Sequence, residues 1–125
     1  CKHLENNVKY IIPFAKHTQS KLIYSSFDFQ QPKHIKHTRL TLLHVGRIAN
    51  AKGQVDAIKA CEILHQNHID FELNLVGGFD KKYQDEFMEF YNKSNYKHKI
   101  NLIGFTNEVI TYIQKADIFI FPSWG

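Results

Sequence analysis

Arg47 and Lys52 are the residues whose types and spacing best suit chemistry: four residues separate them, and Gly46 and Gly53 bracket the run. An arginine presents a forked pair of donors and a lysine a compact point charge, so two such cations on one short loop can face a diphosphate. The competing reading is that both side chains face water, as most surface cations do. Gly77-Gly78, Gly104-Phe105 and Pro122-Ser123 follow short apolar runs in the same manner as Gly46-Arg47. Glycine is a common strand terminator, but it also lets the backbone turn tightly or approach a ligand closely.

Other groups offer less. Of the eight histidines, His34 with His37 and His65 with His68 have three-residue spacing, but neither pair has a cysteine or third ligand nearby, so no metal site is expected. His44 lies within an apolar run and reads as a core or ligand-rim histidine rather than a base. Cys61 shares helical spacing with Val55, Ile58 and Leu64, which marks a structural thiol rather than a nucleophile. Tyr83, Phe87 and Tyr91 recur at helical spacing and read as core rather than an aromatic binding box. The sequence has no Gly-x-Ser-x-Gly elbow, Walker loop or Gly-x-Gly-x-x-Gly turn.

The elements that must position the loop follow a βαβ cadence. Leu40–Val45, Phe71–Val76 and residues 100–103 are apolar runs of strand length, each closed by glycine, and residues 118–121 form a fourth, apolar throughout. Between the first two runs, Val55, Ile58, Cys61 and Leu64 predict an amphipathic helix, with Ala57 and Ala60 widening its buried face. Tyr83, Phe87, Phe90 and Tyr91 predict a second helix whose start carries Asp80. Thr106 reads as the N-cap of a third, with Glu108 in its first turn and Val109, Tyr112, Ile113 and Ala116 on its buried face. The fold expected is therefore α/β, a Rossmann-like parallel sheet with flanking helices, and ligands of such sheets bind outside the carboxyl ends of the strands. Before residue 39 the pattern is less regular: residues 10–14 and 22–24 read as short strands, and residues 27–38, which include Pro32, as a linker.

Composition narrows the class. With 125 residues, 43% hydrophobic content, six glycines, three prolines and two cysteines, the chain is neither disordered, collagen-like nor a disulfide scaffold. No apolar run approaches the roughly 18 residues of a spanning helix. The net charge of +4 favours anionic partners, but there is no basic run of five residues and no interleaved arginine and aromatic pattern, so nucleic acid is not expected. Cys1 and Cys61 offer no disulfide framework, and no signal peptide is visible, which points to a reducing, cytoplasmic setting. A start on Cys1 reads as a processed or excised piece.

The run Gly46-Arg47-Ile48-Ala49-Asn50-Ala51-Lys52-Gly53 resembles the signature loop of GT-B glycosyltransferases of the large retaining family 4, the group 1 type. Leu75-Val76-Gly77-Gly78, Ile103-Gly104-Phe105 and Ala116-Asp117-Ile118-Phe119-Ile120-Phe121-Pro122-Ser123 match further family segments in the same order, and residues 21–28 are similar to its hinge, with Ser25-Ser26 in place of the usual Asn-Gly. The resemblance implies transfer of a hexosyl group from a nucleotide diphosphate sugar to an acceptor hydroxyl, without a metal or other cofactor. It assigns Arg47 and Lys52 to the donor diphosphate, with Gly46 on the phosphate and acceptor side. Gly78 and Phe105 fall near the donor nucleotide, Phe105 beside the base, and Ser123 begins the loop toward the ribose and sugar subsites.

On the same resemblance, residues 1–38 are a remnant of an N-terminal domain and the hinge. Residues 39–125 are a truncated donor-binding domain, inactive alone because the family's Glu-Gly and second glutamate would follow Gly125. The implied partners are a nucleotide sugar and a glycan or lipid-linked acceptor, with peripheral attachment to the cytoplasmic membrane face open to the parent. A fourth strand left as the sheet edge predicts self-association of the chain. A non-catalytic nucleotide-binding or assembly module and a sugar-nucleotide epimerase are the alternative classes.

Overall fold

The computed structural model describes Ile35 and residues 38–124, all within the unit Gln31–Gly125. The strands expected at 10–14 and 22–24, the hinge at 21–28 and His34 and His37 lie outside the described residues.

Four parallel strands form one sheet in the order β3-β2-β1-β4: β1 is Leu40–Val45, β2 Phe71–Val76, β3 Ile100–Gly104 and β4 Ile118–Phe119. This is the order of the first four strands of a doubly wound 3-2-1-4-5-6 sheet, α/β and Rossmann-like as expected. β1 and β2 pair along their full length, from Leu40 opposite Phe71 to Val45 opposite Val76. Both are buried over most of their length, and the polar residues within them, Thr41 and His44 of β1 and Asn74 of β2, are buried with the apolar ones.

The helices are α1, Gln54–Gln66; α2, Gln84–Lys93; and α3, Val109–Lys115. α1 packs on β2 and on α2, while α3 packs on β1. The core between them is Ile58 and Cys61 of α1, Phe71, Leu73 and Leu75 of β2 and Phe87 of α2, all fully buried. Each such large apolar side chain contributes about 1.5–3 kcal/mol. Burial also pushes the Cys61 thiol up to about 11, which keeps it protonated and inert. Tyr96 closes the bottom of this layer by donating its hydroxyl to the Ile58 carbonyl at 2.8 Å.

Several local expectations need correction. Ala60 faces solvent, because the buried side of α1 runs through Gln54, Ala57, Ile58 and Cys61 and leaves position 60 off that stripe. α2 starts at Gln84, not at Asp80: the Asp80 carboxylate accepts from the Lys82 N–H at 3.0 Å and so closes a turn that precedes the helix. Thr106 behaves alike, its hydroxyl accepting from Glu108 N–H at 3.0 Å three residues before α3 begins. The α3 face of Val109, Tyr112, Ile113 and Ala116 is half-buried, and α3 buries no residue completely.

The fourth strand is shorter than residues 118–121. Its ladder spans only Ile118 and Phe119 opposite Leu42 and Leu43, although Ile120 N–H still donates to the Leu43 carbonyl at 2.7 Å. Asp117 moors it: its N–H donates to the Thr41 carbonyl at 2.9 Å and its carboxylate accepts from Thr41 N–H at 2.8 Å. At this sheet edge Ile118 and Phe119 are about half exposed rather than covered on both sides.

Candidate functional site

Beyond the carboxyl ends of β1 and β2 the two chains stay zipped together. Gly46 N–H donates to the Val76 carbonyl at 2.8 Å, Ile48 N–H to Gly78 at 2.9 Å and Asp80 N–H to Ile48 at 2.8 Å. Ile48 and Phe79 form a parallel bridge, and Ile48 is buried. With Ile48 inward, Arg47 points out, its side chain 67% exposed. Gly77 makes the close approach feasible: at φ +145° it leaves no room for a side chain, whose Cβ would run into the Gly46 carbonyl. Its N–H donates to the Gly104 carbonyl at 2.8 Å, which brings the end of β3 alongside.

A cleft of about 440 Å³ opens over these strand ends, lined by Gly46, Arg47, Gly78, Phe79, Phe105 and Thr106 among others. The structure thus gathers four of the six expected site residues, Gly46, Arg47, Gly78 and Phe105, about one concavity. Arg47 forms the cationic lip and reaches Asp80 at 3.8 Å, an open ion pair that an incoming anion can replace. Phe105, 83% exposed, supplies an apolar face to the same lining.

Lys52 and Ser123 are not in that lining. The Lys52 ammonium lies 5.8 Å from the centre of the Phe121 ring, and the Ser123 hydroxyl donates to the Ala51 carbonyl at 3.1 Å. Both therefore belong to a second cluster, where the segment after β4 crosses the β1–α1 loop. Trp124 N–H also donates to Ala51, at 3.1 Å. Gly53, at φ +71°, is the contact point, since a Cβ there would meet the Pro122 carbonyl.

The sequence model of the family described as Glycosyl transferases group 1 matches residues 26–124. The chain belongs to that family. Among curated glycosyl transferases, the capsular polysaccharide biosynthesis glycosyltransferase CapH of Staphylococcus aureus is 28% identical over 105 residues, covering 82% of this chain and 30% of CapH. The amylovoran biosynthesis glycosyltransferase AmsK of Erwinia amylovora is 34% identical over 89 residues, 70% of this chain and 21% of AmsK. Two solved glycosyltransferases share the fold: WaaG, involved in lipopolysaccharide biosynthesis, at a TM-score of 0.58 and 23% identity, and the lipopolysaccharide outer core galactosyltransferase WaaB in its apo form, at 0.62 and 13%. The alignments cover 72% and 89% of this chain, but 24% and 33% of those structures. The chain spans about a third or less of the length of each of these relatives.

Within this group 1 glycosyl transferase chain, three further polar residues lie near the strand ends, of which only His44, read as a core or ligand-rim histidine, was legible in the sequence. Asp80 read only as a helix start, yet its carboxylate is the ion-pair partner of Arg47. Gln54 is buried at the start of α1 and donates to the Arg47 carbonyl at 2.9 Å. His44 is fully buried, with its Nε2 3.1 Å from the Lys52 carbonyl oxygen and its ring stacked on Phe121 at 5.7 Å. Burial holds the His44 imidazole below its usual range, against the opposing effect of that carbonyl bond. Among the described residues no cluster of three His, Cys, Asp or Glu side chains is arranged to hold a metal ion, and no helix is long and apolar enough to cross a membrane.

Proposed function

We propose that the cleft over the strand ends binds the nucleoside diphosphate part of a nucleotide sugar, and that the whole protein transfers the hexosyl group, with retention, to a hydroxyl of a glycan or lipid-linked acceptor. The observation that carries this reading is the meeting of Arg47, the glycine backbone of Gly46 and Gly78, and the exposed ring of Phe105 around one cleft of nucleotide size. Membership of the family and the polysaccharide and lipopolysaccharide roles in the names of the relatives support it.

In this reading Phe105 stacks on the base, the guanidinium of Arg47 exchanges Asp80 for phosphate oxygens, and Lys52 swings off Phe121 toward the same diphosphate. As the sugar leaves, negative charge grows on the diphosphate, and fixed cations there stabilise the transition state more than the ground state. Two cations in place of a metal make the transfer metal-independent. Ser123 starts the loop toward the ribose and sugar. The setting proposed is cytoplasmic, with peripheral membrane attachment where the acceptor is lipid-linked, and the exposed β4 edge is a candidate surface for self-association. Because the chain spans 21–33% of its relatives, we expect it to bind donor without turning it over; sugar transfer above background by the purified 125-residue chain would overturn that expectation.

Titration with UDP and GDP, followed by ligand-observed NMR, tests the reading. Arg47→Ala and Lys52→Ala should each weaken binding about 10- to 150-fold, from about 1.5–3 kcal/mol per charge-assisted bond, with an unchanged fold. If both variants bind UDP and GDP as the parent does, the cleft is not a diphosphate site.

A further inference from the structure

The loop that carries Arg47 and Lys52 is held at both ends by buried polar side chains of its neighbours. At one end Gln54, 1% exposed, donates from Nε2 to the Arg47 carbonyl at 2.9 Å and accepts at Oε1 from Ala49 N–H at 3.5 Å. At the other, His44, 0% exposed, stands 3.1 Å from the Lys52 carbonyl through Nε2. A carbonyl only accepts, so Nε2 carries the ring proton, and Nδ1, buried without a partner, keeps its lone pair. His44 also stacks on Phe121, the ring beneath the Lys52 ammonium. Burying polar side chains costs free energy that an apolar residue of similar volume would avoid, so the bonds, not the volume, distinguish these two positions.

We propose that His44 and Gln54 are positioning residues of the diphosphate site, fixing the backbone of Lys52 and Arg47 so that both cations are presented to the ligand in a preset arrangement. The proposal rests on the reading of the cleft as a diphosphate site. A loop whose backbone is held in advance loses less freedom when it binds, so that only the two side chains, and not the loop, have to move onto the ligand. The two bonds use the carbonyls and leave both cationic side chains available, as a support rather than a ligand-binding role requires.

The test is a pair of double-mutant cycles read by UDP and GDP binding to the 125-residue chain. His44→Phe keeps the ring on Phe121 but loses the donor, and Gln54→Met keeps the length but loses the amide. Each should weaken binding about 3- to 10-fold, the range for a neutral hydrogen bond, in the parent background. If the bonds act through the cations, His44→Phe has no further effect on Lys52→Ala, and Gln54→Met none on Arg47→Ala. His44→Gln, whose amide can reach the same carbonyl, should restore binding to within about 2-fold of the parent, well inside the range expected for a lost hydrogen bond. In the parent, ring ¹⁵N spectra should show His44 neutral and protonated at Nε2, with a shift on addition of UDP or GDP.

Equal losses in both backgrounds, parent-like binding by His44→Phe and Gln54→Met, or an Nδ1-protonated His44 would each overturn the positioning role while leaving the diphosphate reading in place. Parent-like binding by Arg47→Ala and Lys52→Ala would overturn the diphosphate reading instead, and the positioning role with it.

Discussion

At the centre of the sheet the loops after β1 and β2 are joined by three backbone hydrogen bonds and backed by buried Ile48, Gln54 and His44. At the two edges of the sheet the packing is thinner: after β3, Phe105 is 83% exposed, and around β4, on the opposite edge, Ile110 of α3 is 61% exposed and Ile118, Phe119, Phe121 and Trp124 are 49–58% exposed. The first region hydrogen-bonds its backbone and Gln54 inside the protein, leaves His44 Nδ1 without a partner, and has little freedom left. The second presents large apolar side chains to solvent, and Phe105 in particular, at 83% exposure, is free to adapt. A nucleotide makes the corresponding two demands: a diphosphate rewards fixed donors, whereas a flat base is accommodated by an adjustable face. The contrast thus follows from where the core ends, at β1 and β2, rather than from any single site residue.

The largest effect that separates the regions is on stability. Phe87→Ala removes a fully buried ring that meets Phe79 and Tyr91, and should cost about 3–5 kcal/mol. Phe119→Ala, at a residue 54% exposed on the sheet edge, should cost less than about 1 kcal/mol. Urea unfolding of both variants measures the contrast. Similar losses at the two positions would mean that the β4 side is as firmly packed as the β2 side, and the division would be abandoned.

How far this division was legible beforehand depended on range. β1 and β2 were readable residue for residue, because both are short segments dominated by Leu, Val and Phe and each is closed at its carboxyl end by a glycine. The helix starts were misplaced because an Asp or Thr that closes a turn makes the same type of side-chain bond to a backbone N–H as one that caps a helix, as Asp80 and Thr106 do. Local pattern does not say whether the chain then continues in a helix. Gly46, Arg47, Gly78 and Phe105 converge because all follow strand ends of one sheet, a consequence of topology that the βαβ cadence already contained. The partnership of Arg47 with Asp80 joins residues 33 positions apart and depends on the register of two loops, which no local pattern records. His44 looked like a core histidine and is one; its bond to Lys52 depends on the loop folding back over β1.

A smaller effect comes from pH and touches only the fixed region. The folded protein holds His44 below the ordinary pKa of 6.5, so as pH falls the unfolded chain takes up the proton first. The stability attached to neutral His44 is therefore complete above that value and lost as pH falls through the window beneath it, at no more than about 1.4 kcal/mol per pH unit. Unfolding free energy measured at about pH 8 and about pH 5 should fall more steeply in the parent than in His44→Phe. Equal slopes would show that the imidazole is open to protonation in the folded state, and that the pinned side is looser than its bonds suggest.

The smallest effect belongs to Gly78, on the cleft floor. A Cβ at Gly77 meets the Gly46 carbonyl, whereas a Cβ at Gly78 meets nothing within 4 Å and the residue is not among those with positive φ. Gly78→Ala should thus leave stability unchanged or raise it by a few tenths of a kcal/mol, through the lower entropy of the unfolded chain. Any loss of UDP or GDP binding in this variant then reports the ligand alone, since the added methyl projects into the space the ligand would use. We expect binding weakened by about 2- to 5-fold, on the scale of a misplaced hydrogen bond, with the unfolding midpoint of the parent. Parent-like binding would move the nucleotide away from β2, toward the adaptable Phe105 side, and would leave Arg47 as the contact between the fixed region and the ligand.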